Sequence, residues 1–177
     1  MTILRSLRGR IMPNASHSPG GTGQIFPDAT LPTRDGGAIA LDTFRPKWDL
    51  VMVMLGADGV PSEVAHVLDA LAAARTDVEL EDGKVLAVSA STLAIPDWRW
   101  PFPLLLDADG RVHRRAGAVD GAGRPAPALF TTDHYREIYG AMRPGEPAWP
   151  ATAKEVIDWL VFANIQCPEC NAPESDW

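Results

Sequence analysis

Leu50-Val51-Met52-Val53-Met54-Leu55 is an unbroken apolar run, and Gly56-Ala57-Asp58-Gly59-Val60-Pro61-Ser62 follows at once. Six apolar residues without alternation fit a strand covered on both faces, as in a sheet flanked by helices. The glycines break that strand. Pro61 suits the first turn of a helix, where a missing N–H costs nothing. Val64, Val67, Leu68 and Leu71 then recur on one helical face, and the helix fades at Ala74-Arg75.

The pattern continues downstream. Val85 to Val88 reads as the next apolar strand. A loop holding Trp98, Trp100, Pro101 and Pro103 leads to a short strand at Leu104 to Leu106, and Arg111 to Ala116 forms a short helix. After the Gly121 to Pro127 loop come strands at Ala128 to Thr132 and Tyr135 to Met142, whose two-residue link, Asp133-His134, predicts an antiparallel hairpin. Thr152 caps a final helix to Asn164. Glu155 is its capping-box partner, and Val156, Ile157, Leu160 and Val161 are its apolar face. Upstream, Asp35-Gly36-Gly37 is a turn, Ala38 to Leu41 a short strand, and Asp42 caps one helical turn through Phe44. A parallel crossover followed by an antiparallel hairpin predicts an α/β fold: a mixed central sheet with helices on both faces, three layers in all.

The chain has 177 residues, 46% hydrophobic and 22% charged, enough for one domain with a real core. Its net charge of −7 argues against nucleic acid, which needs a basic face. Residues 1–24 carry Arg5, Arg8 and Arg10 but no apolar run of the roughly 7–15 residues a secretory signal needs, and they read as a flexible arm. No segment approaches the roughly 18 apolar residues of a membrane span. The domain is expected over 25–164 and a tail over 165–177, in the cytoplasm.

Four segments carry a resemblance. They are Phe26-Pro27-Asp28-Ala29-Thr30-Leu31-Pro32 with Asp35-Gly36; Leu50 to Asp58; Phe102-Pro103-Leu104-Leu105-Leu106-Asp107-Ala108-Asp109-Gly110; and Pro127-Ala128-Leu129-Phe130-Thr131-Thr132-Asp133. In this order and spacing the chain resembles the thioredoxin-like fold, and within it the redoxin branch that holds the peroxiredoxins (the AhpC/TSA type). The resemblance implies an antioxidant oxidoreductase acting on a peroxide or on a thiol or disulfide of a partner protein; a homodimer is a further expectation. It also implies that Gly59, Pro61, Ser62 and Pro127 line the place where a substrate docks, with Pro127 facing the active-site loop.

One departure decides the chemistry. The family's nucleophilic cysteine sits at the N-terminus of the helix after the central strand, where unpaired N–H groups and the helix dipole stabilise a thiolate. Here that position falls at Gly59-Val60-Pro61-Ser62, a CxPC-like pattern with glycine and serine in the cysteine places. A serine hydroxyl does not replace a thiolate in peroxide or disulfide chemistry.

The only cysteines are Cys167 and Cys170, in Cys167-Pro168-Glu169-Cys170. Three readings stay open: a dithiol/disulfide pair that attacks and resolves, half of a zinc site completed by a second chain or a histidine, or thiols without a role. Standing just past a helix C-terminus beside Glu169, Glu174 and Asp176, the pair is expected to be a poor nucleophile at neutral pH. No cofactor is required, zinc being the one candidate. The second class of function is a redox-inactive module that binds a partner around Gly59, Pro127 and Trp98.

Other features read blandly. Ser62 and His66 share a solvated helix face, and His17, His113 and His134 are expected at the surface. Trp98 and Trp100 form a lid on the core, Trp159 belongs to the core, and Trp177 anchors the tail.

Overall fold

The computed structural model describes residues 21–165, except 46, 92–94, 96 and 151. Cys167, Cys170, His17, Trp177 and the arm up to residue 20 lie outside the described residues.

A short hairpin comes first, β1 (Thr30–Pro32) antiparallel to β2 (Ala38–Ala40), followed by a 3-10 turn at Leu41–Phe44. The central strand β3 (Asp49–Leu55) is buried at every residue. Helices α1 (Ser62–Ala73) and α2 (Arg75–Leu80) return the chain to β4 (Gly83–Ser89). Then come β5 (Leu104–Leu106), α3 (Arg111–Arg115), β6 (Ala128–Thr132), β7 (Ile138–Met142) and α4 (Ala153–Ile165). The main sheet has the order β5-β4-β3-β6-β7. β3 pairs in parallel with β4 and antiparallel with β6, so the expected mixed sheet is present.

The period of two along β3 divides the core. Val51, Val53 and Leu55 face α1, α2 and α4, packing with Val64, Leu68, Val78, Val156 and Leu160. Leu50, Met52 and Met54 face the other layer, with Phe26, Leu41, Val112 and Phe130. Both faces are dry because each carries its own cover, which is why this strand reads as a continuous apolar run.

The differences from the sequence reading are local. The Ala74-Arg75 break is followed by α2, whose polar sequence Arg75-Thr76-Asp77-Val78-Glu79-Leu80 shows only Val78 to the core. The link from β6 to β7 runs over Asp133 to Glu137 rather than two residues. Asp133 Oδ1 accepts the Tyr135 and Glu137 N–H groups (2.9 and 2.8 Å), closing a turn in which Arg136 takes φ +72°. The 3-10 turn starts at Leu41, one residue before the expected cap. The Glu155 half of the capping box is present: the Thr152 N–H donates to Glu155 Oε2 (2.7 Å), and the Thr152 hydroxyl donates to the same oxygen (2.6 Å). Val161 faces outward, 38% exposed, and Trp159 is half-buried against the core.

Gly83 marks the tightest helix–sheet contact. An added Cβ would stand 2.7 Å from Leu160 Cδ1 and 2.8 Å from both Val78 Cγ1 and the Val78 carbonyl oxygen. At Gly121 a Cβ meets nothing within 4 Å. Gly83→Ala is therefore expected to lower stability by about 2 kcal/mol in urea unfolding, and Gly121→Ala to change it by less than about 0.5 kcal/mol. Equal effects would place the packing constraint elsewhere.

Candidate functional site

β3 ends at Leu55, and the loop to α1 begins with buried Gly56. A Cβ at Gly56 would lie 3.4 Å from Pro127 Cδ and 3.5 Å from the Pro125 carbonyl oxygen. Pro127 therefore faces the start of this loop, in the place the resemblance implies. Gly59 takes φ +95°, a left-handed conformation that glycine adopts without strain. Pro61 occupies the N-cap position of α1, and no side chain caps the helix there. The N–H groups of Ser62, Glu63 and Val64 thus lack intrahelical partners and open toward the loop. The loop keeps the electrostatic half of a thiolate site and has no sulfur to use it.

Charged residues border the loop. Arg124 donates to Asp120 Oδ2 (2.8 Å), and Asp120 Oδ1 also accepts the Ala122 and Arg124 N–H groups. The Asp120 carboxylate, with Asp58 beyond it, favours the charged form of Arg124. Ser62 and His66 both lie on the exposed side of α1. One turn further, Asp69 accepts from Arg99 at both oxygens (2.9 and 2.7 Å) and from the Trp100 indole (2.7 Å). Trp98 packs edge-on to Trp100 at 4.8 Å and donates to the Phe102 carbonyl. The tryptophan loop is thus fastened to α1 as a partial lid on the core. The Trp100 and then the Arg99 hydrogen bonds hold the Asp69 carboxyl below its ordinary range.

His113 corrects the surface expectation: it is fully buried beneath the loop. Its Nδ1 lies 2.7 Å from Asp107 Oδ2, and its Nε2 lies 2.7 Å from the Leu55 carbonyl oxygen. Both ring nitrogens face oxygen acceptors, an arrangement that a doubly protonated ring satisfies twice and a neutral ring once. Burial pushes the Asp107 carboxyl up. Hydrogen bonds from the His113 ring and from the His113 and Val112 N–H groups outweigh that and bring it to about 2. The pair therefore clamps the last carbonyl of β3 directly before Gly56. The available signal was Asp107 ahead of a helix start, with a histidine at the helix's third residue.

The expected cysteine pair, Cys167 and Cys170, lies outside the described residues. α4 ends at the opposite end of the sheet, where the Asn164 side-chain amide donates to the Glu81 carbonyl (3.0 Å) and the Asp49 N–H to the Asp82 carbonyl (3.0 Å). A strand as long as β3 separates the two ends by about 20 Å. Among the described residues no helix is long and apolar enough to cross a membrane.

Residues 22–140 match the sequence profile of the AhpC/TSA family. No curated protein matches the chain by sequence. Among solved structures the chain is similar to the peroxidoxin BcpB from Mycobacterium tuberculosis (20% identity over 82% of this chain and 98% of that one, TM-score 0.65). It is likewise similar to AhpC of Mycobacterium tuberculosis (19% identity, 84% and 97% covered, TM-score 0.66). A putative thiol:disulfide interchange protein DsbE from Chlorobium tepidum also matches (16% identity, 78% and 97% covered, TM-score 0.60). At these identities the likeness shows the fold.

Asp107→Asn removes the charge that holds His113 and is expected to destabilise the protein by about 2 kcal/mol at neutral pH. Because the folded carboxyl titrates below its ordinary value, its contribution is complete above about pH 4 and is lost as the pH falls toward 2. Urea midpoints of wild type and variant measured across that range should converge at the acid end. A gap that stays constant with pH would assign the effect to shape rather than charge.

Proposed function

The chain belongs to the AhpC/TSA family, and from that premise we propose that it is a thiol–disulfide exchange protein whose chemistry has left the family's loop for Cys167 and Cys170. One observation carries the reading. The Gly56–Ser62 loop, with Pro127 against Gly56, leads to an uncapped helix N-terminus but has no cysteine, and the chain's only two thiols form a Cys-x-x-Cys pair.

The exchange balances without a cofactor. A thiolate of the pair attacks a disulfide of a partner protein, forming a mixed disulfide and expelling a partner thiolate, which takes up a proton. The second cysteine then attacks the mixed bond. The products are the Cys167–Cys170 disulfide and a partner dithiol, so two electrons pass to the partner. A dithiol reductant restores the pair. The Gly59, Pro61, Ser62 and Pro127 surface serves in this reading as a docking face for the partner's backbone. The negative end of α4 and the nearby acidic residues disfavour the thiolate, so exchange accelerates as the pH rises above neutral.

The test is reduction of a protein disulfide by the pre-reduced full chain, followed by thiol counting. Wild type is expected to transfer two electrons per chain, and Cys167→Ser or Cys170→Ser to lose net transfer at least 100-fold. Consumption of hydrogen peroxide by the same sample at a comparable rate would overturn exchange in favour of peroxidase chemistry. A wild-type pair inert to both would leave the redox-inactive binding module.

A further inference from the structure

A second feature stands at the end of the sheet where α4 stops. Asp49, the first residue of β3, is 2% exposed. Its Oδ1 lies 3.4 Å from His134 Nδ1, and its Oδ2 is buried without a hydrogen-bond partner. His134 lies in the β6–β7 link with its side chain 26% exposed, so it is half-buried rather than at the open surface expected from the sequence. A buried carboxylate with an unpartnered oxygen is costly unless an opposite charge faces it or it takes a proton. Asp133 from the same link and Asp82 from the turn before β4 add like charge, and the His134 imidazole offers the opposite one when protonated. Glu137 and Tyr139 add acidic groups at the start of β7, and burial together with Asp133 raises both. The Lys84 ammonium is engaged elsewhere, 4.1 Å from the Trp48 ring and 3.5 Å from Glu79 Oε1. The last turn of α4, Val161 to Ile165, has no titratable side chain. Burial dominates: it pushes the Asp49 carboxyl up to about 6, with His134 pulling against the rise and Asp133 and Asp82 adding to it.

The link that carries His134 is a strained turn with several ties. Arg136 is left-handed at φ +72°, a conformation that a residue with a Cβ holds only against a cost. Its buried guanidinium reaches Asp28 (2.9 Å) and points toward Asp42 (3.8 Å). The His134 ring packs against Tyr135 at 4.3 Å. β7 is the outermost strand on this side of the sheet, and residues 23–26 cover the outer edge of its start. The Gly23 N–H donates to the Ile138 carbonyl, the Ile138 N–H to the Gln24 carbonyl and the Phe26 N–H to the Arg136 carbonyl, each at 2.8 Å. The contact with Asp49 thus ties the link to the central strand, and the link in turn holds the cover on the sheet edge.

We propose that Asp49 and His134 form a proton-operated latch: when Asp49 takes up a proton it lets go of the His134 ring, and the link loosens together with residues 23–26 over the edge of β7. The step is a proton exchange with solvent, and it is independent of the thiols and of the exchange reading. With the carboxylate charged, the His134 ring compensates it and is held inward. With the carboxyl neutral, its oxygens no longer need a cation, and a protonated ring gains by turning to water. The sign for the whole fold is opposite to that for the link. A folded carboxyl that titrates above its ordinary value contributes stability that is complete below about pH 4 and is lost as the pH rises through 6. Mild acid therefore stabilises the base of β3 while it frees the link. A strand edge uncovered in this way presents backbone groups to which another chain can pair.

Two signals of the full wild-type chain, followed from about pH 4 to about pH 8, test the latch. One is the ¹³C resonance of the Asp49 carboxyl. The other is hydrogen-exchange protection of the Tyr135, Glu137 and Ile138 N–H groups, corrected for the intrinsic pH dependence of exchange. The carboxyl is expected to titrate near 6, and protection of the link to fall about threefold as it gains its proton, while protection of Val51 and Val53 does not fall. Asp49→Asn is expected to show the low link protection at every pH. Its folding constant should exceed that of wild type by about 100-fold near pH 8, with the gap closing toward pH 4. His134→Gln should move the Asp49 midpoint higher still, because the opposing charge is gone. Three results overturn the latch: an Asp49 midpoint near 4, link protection that stays constant through the titration, or a pH dependence of Asp49→Asn equal to that of wild type. The wild-type signals remain decisive if a variant fails to fold.

Discussion

β3 is the constraint on which the rest of the structure depends. It is buried over its whole length between a parallel and an antiparallel neighbour, and each of its faces seals a separate core. Burying a strand on both sides requires helices on one face and a second layer on the other, so the three-layer order follows from this one segment. Its rigidity also sets two fixed ends. Leu55 delivers the chain to Gly56 and α1, whereas Asp49 abuts Asp82 and the end of α4.

The two ends are held by different physics. At the Leu55 end a buried hydrogen-bonded pair, Asp107 and His113, reaches across from α3 and takes the strand's last carbonyl. A buried pair of this kind contributes less by net attraction than by the penalty for losing one partner. It makes the position of Gly56, and so of the whole loop to Ser62, a fixed property of the fold. At the Asp49 end the carboxylate has one histidine contact and one empty oxygen. That end is under-satisfied among the described residues.

Much of this was legible in the sequence. The continuous run at Leu50 to Leu55 marks the buried strand, the Thr152 and Glu155 spacing marks the start of α4, and the resemblance implies that Pro127 faces the loop, where its ring stands against Gly56. The misses share a cause. α2 shows one core residue, so its periodicity is invisible. The β6–β7 link lengthens because Asp133 captures two backbone N–H groups, a choice that tertiary packing around Arg136 and Asp28 stabilises. His113 reads as polar in isolation and is buried only because Asp107 and the Leu55 carbonyl meet its two nitrogens. The cysteine pair is legible in the sequence alone, and it lies outside the described residues.

Polarity connects the two ends. At α1 the exposed N–H groups make the loop favourable for negative charge, the half of a thiolate site that does not need a thiol. At α4 the helix presents its carbonyl end, and Asp49 and Asp82 lie close by. The field at that end works against negative charge, the reverse of the field at the start of α1. The two ends of β3 therefore differ in the charge they favour, although one rigid strand sets both.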